Sequence, residues 1–152
     1  MLKAISLFSL LLLTTISGYS QSSKELNLNG NHLAIEGFDP VSYFRESKPV
    51  EGKSTITYNF EGATYQFATI ANKEAFISSP DSYKPQYGGW CAYAMGAKGE
   101  KVEVDPETFK ILDGKLYLFY NRLFNNTLES WNKNENQLRS NADKNWKALL
   151  AK

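Results

Sequence analysis

The sequence contains few of the residues that most often build a catalytic or metal centre. Its 152 residues include one cysteine, one histidine and two methionines. A single cysteine excludes a disulfide within the chain and any zinc site that requires two or more thiolates. A single histidine excludes a blue-copper centre with two histidine ligands, and the chain lacks the Cys-x-x-Cys-His motif of covalent haem attachment.

An excess of charge of one sign is also absent. Lys and Arg total 17 against 16 Asp and Glu, so no basic surface indicates a nucleic-acid partner. The chain instead has 42% hydrophobic and 14% aromatic residues. At this length, such a composition is typical of one folded domain that needs neither disulfides nor a structural metal.

The longest hydrophobic run lies at the N-terminus. Lys3 precedes an apolar stretch over residues 4–16, and small residues follow up to Ser20. This order is typical of a secretory signal peptide over residues 1–20, with cleavage before Gln21. The run is shorter than the ~20 residues of a membrane span, and an uncleaved anchor is the alternative. We therefore predict an exported protein, periplasmic or secreted, without an integral membrane segment after cleavage.

After removal of the signal peptide, the chain contains one cysteine, one methionine and one histidine. These are Cys91, Met95 and His32. An unpaired thiol in an oxidising compartment must be buried, paired with another chain or bound to a ligand. The remaining chain divides into a polar lead-in over residues 21–33 and one domain over residues 34–152.

Local patterns predict an α+β domain with two antiparallel β-hairpins, short helices and a C-terminal helix. β-Branched and aromatic residues flank two acid-glycine pairs, Glu61-Gly62 and Asp113-Gly114, which predict the hairpin turns. Capping residues and apolar spacing predict the helices. These are residues 40–44 after Asp39, residues 70–78 after Thr69 with Ala71, Ala75 and Phe76 on one face, residues 90–95 before Gly96, a turn opened by Asp105-Pro106, and a tail helix whose core face carries Leu138, Ala142, Trp146, Leu149 and Leu150.

The two predicted hairpins resemble each other in sequence. Residues 61–67 and residues 113–119 both read acid-Gly-x-x-Tyr-x-Phe, at an offset of 52 positions. The Tyr and Phe of each motif are two residues apart and share one face of a strand. Two interpretations stay open: ordinary hairpin composition, or two quasi-equivalent hairpin–helix units around one core. In both cases we expect these rings in the core.

Four short motifs lie between residues 37 and 92. They are Gly37-Phe38-Asp39-Pro40-Val41-Ser42-Tyr43-Phe44, Gly62-x-x-Tyr65-x-Phe67, Asn72-Lys73-x-x-Phe76 with Pro80 and Tyr83, and Pro85-Gln86-Tyr87-Gly88-Gly89-Trp90-Cys91-Ala92. Together they resemble the YHS domain family, particularly its small exported single-domain members. The resemblance implies a metal-binding module. Metal-associated members carry cysteines where this chain has Ser42, Ala68 and Asn72, so that type of site is absent and Cys91 is the thiol that remains.

Cys91 and Met95 carry the sharpest chemical signal of the mature chain. Residues four apart share one face of a helix, and thiolate and thioether are soft donors that favour Cu(I). His32 is the third predicted donor, and core packing of both sulfur side chains is the alternative. The spacing does not support a Cys91–His32 nucleophile and base, so no enzyme is predicted. We therefore predict a non-catalytic module that binds copper or another soft metal.

An aromatic cluster supports a second function without a metal. Tyr87, Trp90 and Tyr93 lie close together in sequence beside the Gly88-Gly89 pair. Such rings predict a pocket for a small apolar ligand or a protein partner. Core packing between the two hairpins is the alternative for the same rings.

The two hypotheses together give the predicted partners of the chain, which are a metal ion or an envelope protein.

Overall fold

The computed structural model describes residues 23–152, and they form the predicted α+β fold. The predicted signal peptide lies outside the described residues. No helix among residues 23–152 is both long enough and apolar enough to cross a membrane. In chain order the elements are α1 (Ser42–Arg45), β1 (Lys53–Phe60), β2 (Ala63–Phe67), α2 (Ile70–Ser78), α3 (Pro80–Tyr83), α4 (Ala92–Lys98), β3 (Asp105–Leu112), β4 (Lys115–Phe119), β5 (Asn121–Arg122), β6 (Asn125–Asn126), α5 (Thr127–Lys133) and α6 (Glu135–Leu150).

Both predicted hairpins are confirmed, β1 with β2 and β3 with β4. Each turns through an acid-glycine pair in which both residues have positive φ, 50° and 83° at Glu61-Gly62 and 50° and 70° at Asp113-Gly114. A two-residue turn of this kind matches the right-handed twist of the flanking strands, and glycine adopts its second position without strain. The acid-glycine pairs therefore determine where both hairpins turn.

The two hairpins share one register, including an irregularity at the same place. The first hairpin pairs Lys53 with Phe67 and then Thr57 with Gln66, with a shift of register between the two pairs. The second hairpin pairs Asp105 with Phe119 and then Phe109 with Leu118, with the same shift. Every one of these residues has its counterpart 52 positions along the chain. The interpretation of two quasi-equivalent hairpin–helix units is therefore confirmed, but their interior forms two clusters rather than the one core that was expected.

The repeat begins before the hairpins. Ile35, Glu36 and Gly37 all have positive φ, as do their counterparts Tyr87, Gly88 and Gly89. Leu33 forms a parallel bridge to Thr64, and Pro85 forms the equivalent bridge to Leu116. We call residues 33–78 the first unit and residues 85–133 the second unit, because each ends with the helix that follows its hairpin.

Equivalent backbone bonds place Cys91 where the first unit has Asp39. The Asp39 N–H donates to the Val50 carbonyl over 2.8 Å, and the Cys91 N–H donates to the Val102 carbonyl over 2.9 Å. Asp39 and Cys91 are 52 positions apart, and so are Val50 and Val102. Asp39 and Cys91 are each 0% exposed.

Strand β4 divides the interior into two clusters. Its residues alternate between them, as successive strand side chains do. Leu116 and Leu118 belong to the first cluster, together with the buried residues of the first unit. Tyr117 and Phe119 belong to the second cluster, which α4, α5 and α6 complete. Burial on both faces explains why residues 116–119 of this strand are all buried.

Two helix predictions are corrected by tertiary contacts. Gly96 does not end a helix, because α4 continues through it to Lys98 and is capped by Gly99, whose backbone is left-handed. A Cβ atom at Gly96 would lie 2.4 Å from the Leu138 carbonyl oxygen, so the glycine permits α6 to pack closely on α4. Asp105-Pro106 opens strand β3 rather than a helical turn. The Asp105 carboxylate accepts hydrogen bonds from the Glu107 N–H and the Thr108 hydroxyl, which satisfies those groups without a helix.

The helix faces are mostly as predicted, with two exceptions. The Thr69 side chain caps α2 by accepting the Asn72 N–H, and Phe76 is fully buried. Ala71, however, is exposed, and Asn72 is buried in its place. In α6, Ala142 is fully buried while Leu150 remains 43% exposed at the helix end.

Stability is expected to fall as pH rises above about 10, the ordinary pKa of tyrosine. Burial raises the pKa of the phenols of Tyr43, Tyr65, Tyr87 and Tyr117. A group whose folded pKa is raised stabilises the fold fully below its unfolded pKa and loses that contribution as pH rises further. Urea midpoints at neutral and alkaline pH measure the loss, which Tyr65→Phe should reduce. An unchanged midpoint above pH 10 would contradict the burial of these phenols.

Candidate functional site

Cys91 is buried at the start of α4. It is the residue before the first helical turn, and its φ and ψ of −56° and 117° lie outside the helical region. The Tyr120 N–H donates to Cys91 Sγ over 3.3 Å, and Thr127 Oγ1 lies 3.4 Å from the sulfur. Because the Thr127 hydroxyl donates to the Tyr120 carbonyl over 2.8 Å, the Cys91 thiol acts as the donor to Thr127. The Cys91 thiol is thus held by one donor and one acceptor.

A pocket of about 230 Å³ lies beside this thiol, and we call it the Cys91 pocket. Cys91 and Thr127 are its buried residues, and the half-buried residues that line it are Tyr93, Ala94, Val102 and Tyr120. The exposed residues that line it are Ala97, Lys98, Glu100 and Asn125. The pocket therefore joins a mainly apolar interior to a charged mouth, which is the usual chemistry of a small-ligand site.

Comparison of the two units explains why the pocket lies beside Cys91. In the first unit, Asp39 Oδ2 accepts the Ala68 N–H and the Asn72 side-chain amide, each over 2.8 Å. In the second unit the Tyr120 N–H, the counterpart of the Ala68 N–H, donates to the Cys91 sulfur. The helix residue that contacts Cys91 is the short Thr127, so a longer amide side chain such as Asn72 does not occupy this place.

The connection to the last helix of each unit also differs. Residues 68–69 alone link β2 to α2, whereas residues 120–126 link β4 to α5 and form the β5–β6 hairpin. Asn125 of this extra hairpin lines the Cys91 pocket. The pocket therefore belongs to the second unit, where the short Thr127 side chain contacts Cys91 and the connection over residues 120–126 is longer than its counterpart.

The three predicted metal donors do not meet. Cys91 belongs to the first core cluster, whereas Met95 belongs to the second, where it packs with Trp131 and Ala142. Cys91 lies outside the helix proper, so the helical spacing to Met95 does not place the two sulfurs on one face. His32 is exposed in a turn, and its carbonyl accepts the Thr64 N–H.

Carboxylates do not complete a metal site around the predicted donors. Within residues 23–152, no group of three or more His, Cys, Asp and Glu side chains is arranged to hold a metal ion. The residues present thus do not fit the predicted three-donor copper site. Copper binding stays a prediction that rests on Cys91 alone.

The three predicted aromatic residues also separate. The Tyr87 hydroxyl donates to Asp143 over 2.8 Å, and burial together with this bond raises the pKa of Tyr87. The Trp90 indole N–H donates to the Glu25 carbonyl over 2.7 Å, which ties the lead-in to the domain. Of the three rings, only that of Tyr93 lines the Cys91 pocket. Tyr87 lines a different cavity, of about 260 Å³, beside α6.

Asp39 is the centre of a buried network that the sequence reasoning assigns only as a helix cap. The Val41 N–H donates to Oδ1 over 2.8 Å, and the Ser42 hydroxyl donates to the Asp39 carbonyl over 2.7 Å. Ala68 and Asn72 both donate to Oδ2. The three positions at which the YHS resemblance places cysteines, namely 42, 68 and 72, thus all contact one residue. In the sequence, the Asp39-Pro40 pair is the feature that marks this position.

The chain was compared with protein-family models, with curated proteins and with solved structures. None of the three comparisons finds a match.

Proposed function

We propose that this chain is an exported, non-catalytic binding module of the YHS type whose ligand site is the Cys91 pocket. The observation that carries the proposal is the cavity of about 230 Å³ beside a buried thiol, in the unit where Asp39 has been replaced by Cys91. An apolar cavity of about 150 Å³ is large enough to bind benzene. The Cys91 pocket therefore suits an aromatic ligand of one or two rings.

The surroundings of Cys91 support binding rather than catalysis. A nucleophilic thiol needs a base within hydrogen-bond reach. The groups within reach of this sulfur are a backbone N–H and the Thr127 hydroxyl, and neither is a base of that kind. His32 is exposed on the turn that precedes Ala34. Cys91 is itself 0% exposed, so its thiol lies behind the surface of the pocket and does not meet a ligand as a nucleophile would.

The YHS part of the proposal is supported by the first unit. Ser42, Ala68 and Asn72 lie around Asp39, as they would if the corresponding positions of metal-associated members formed one site. Here Ala68 and Asn72 donate hydrogen bonds to the Asp39 carboxylate, and Ser42 donates to the Asp39 backbone carbonyl. The first unit thus supplies a rigid scaffold, and the second unit supplies the pocket.

Binding of indole tests the proposal directly. Titration of the protein with indole should shift the amide resonances of Val102 and Tyr120, which line the pocket. Ala97→Trp, at the exposed mouth, should weaken that binding, whereas Ala71→Trp, on the exposed face of α2, should not.

A soft metal is the second candidate ligand, because a soft sulfur donor lies at the pocket. In competition with a Cu(I) chelator, Cys91→Ser is expected to lower the copper affinity of the chain by about tenfold or more. Met95→Leu and His32→Ala are expected to leave it unchanged, since neither residue lies at the pocket. Equal affinity of the wild type and Cys91→Ser would remove copper as a candidate.

A further inference from the structure

The β5–β6 hairpin presents two large apolar side chains to solvent. Its two-residue turn is Leu123-Phe124, between the paired residues Arg122 and Asn125. Leu123 is 90% exposed and Phe124 is 110% exposed, the highest values among the exposed large hydrophobic residues of the described chain. We call these two residues the apolar tip. An exposed phenyl ring beside an exposed leucine is typical of an interaction surface.

The apolar tip is also conformationally unfavourable. Leu123 and Phe124 have φ values of 51° and 64°, the left-handed region that side chains with a Cβ rarely adopt. Turns of this type favour Asn-Gly, which would relieve both the strain and the exposure. The present residues therefore cost stability in the isolated chain, and contact with a partner would offset that cost.

A matching cavity lies at the foot of the same hairpin. Asn125, the residue after Phe124, lines the Cys91 pocket, as does Tyr120 on the other side of the hairpin. The volume of about 230 Å³ accommodates one phenyl ring. The apolar tip and the Cys91 pocket are therefore neighbours on one molecule. In a two-fold dimer both copies use the same surface, so the tip of each copy can meet the pocket of the other.

The hairpin and the pocket mouth carry one pair of opposite charges, Arg122 and Glu100, and Lys98 at the same mouth has the same sign as Arg122. Arg122 is exposed on the hairpin, and Glu100 is exposed at the mouth beside Lys98. Among the ion pairs of residues 23–152, neither Arg122 nor Glu100 takes part. In a two-fold contact the Arg122 side chain of one copy can approach Glu100 of the other.

We propose that Phe124 of one copy docks in the Cys91 pocket of a second copy, in a reciprocal two-fold dimer. The inference rests on the proposed function, because it requires the pocket to accept an aromatic group. Each buried phenyl ring covers about 150–250 Å². Two such anchors with their leucines make a contact below the standard interface size, so the dimer is weak and an aromatic ligand displaces it.

Sedimentation velocity of the protein expressed from the full sequence tests this dimer. The wild type should shift from monomer towards dimer across a micromolar-to-millimolar series, and indole should reverse the shift. Phe124→Ser should weaken association by about tenfold or more. The double variant Leu123→Asn with Phe124→Gly should remain monomeric and unfold at higher urea, which separates docking from folding. Ile77→Ser, which removes an exposed apolar side chain on α2, is the matched control and should dimerise normally.

The outcomes distinguish the dimer from the pocket. A chain that stays monomeric at all concentrations but binds indole overturns the dimer and leaves the proposed function intact. A dimer that Phe124→Ser does not weaken also overturns the inference. Monomeric chain that binds phosphatidylcholine vesicles through Phe124 would assign the apolar tip to a membrane instead. Absence of both indole binding and association would overturn the dimer and the proposed function together.

Discussion

Replacement of Asp39 by alanine is expected to lower the free energy of unfolding by about 3–5 kcal/mol. The carboxylate is 0% exposed and accepts the Val41 N–H, the Ala68 N–H and the Asn72 amide, each over 2.8 Å. Alanine leaves these three donors without an acceptor in the interior. Each buried unsatisfied donor costs about 1–3 kcal/mol, so the loss of the network dominates the loss of side-chain packing.

The second unit provides the matched control for this substitution. Cys91→Ala removes the counterpart of Asp39 but only weak sulfur hydrogen bonds, so we expect a loss of about 1–2 kcal/mol. Urea unfolding followed by tryptophan fluorescence measures both variants on the same scale. If Asp39→Ala cost no more than Cys91→Ala, the carboxylate would not be the centre of the first unit. Asn72→Ala should fall between the two, since it removes one donor and the contact to Arg45.

Features with local chemical signatures were predictable from the sequence. The acid-glycine turns at residues 61–62 and 113–114 determine both hairpins, and the Thr69 cap determines the first residue of α2. The shared motif at an offset of 52 residues pointed to the repeat because it contains the turn and the alternating ring positions of each strand. These signals work because they depend on the backbone within a few residues.

Features that depend on contacts between distant segments were not predictable. Gly96 looks like a helix end, yet it lies inside α4 because the Leu138 backbone approaches it. Leu123-Phe124 has no turn residue, so nothing in the sequence marks the β5–β6 hairpin. Cys91 and Met95 belong to different clusters, which their spacing along the sequence does not reveal. Tyr93 is the residue of the aromatic prediction that lines the pocket.

Ala97→Trp is expected to weaken the binding of indole by about tenfold or more, which corresponds to about 1.4 kcal/mol or more. Ala97 is exposed on α4 and lines the mouth of the Cys91 pocket, so a large ring there occupies the space that a ligand needs. The substitution lies on a solvent-facing helix position and should leave the fold stable. Ala71→Trp introduces the same ring on the exposed face of α2 in the first unit, away from the pocket.

Cys91→Ala adds a chemical test of the same pocket. It removes a sulfur that lies behind the pocket surface and adds no bulk, so indole should still bind with an affinity close to that of the wild type. Complete loss of binding in Cys91→Ala would indicate that the thiol is the ligand-binding group itself. That result would favour the soft-metal candidate over the aromatic one.

The most direct measurement of the central claim is a heteronuclear NMR titration of the wild-type protein with indole. We expect the largest amide shifts on the residues around the Cys91 pocket, namely Cys91, Ala94, Val102, Tyr120 and Thr127. We expect Ala97→Trp to move the same titration to an indole concentration about tenfold higher or more. Shifts centred instead on Tyr87, Trp146 and Lys147 would place the ligand in the cavity beside α6. That result, or no saturable shift at all, would contradict the claim that the Cys91 pocket is the binding site.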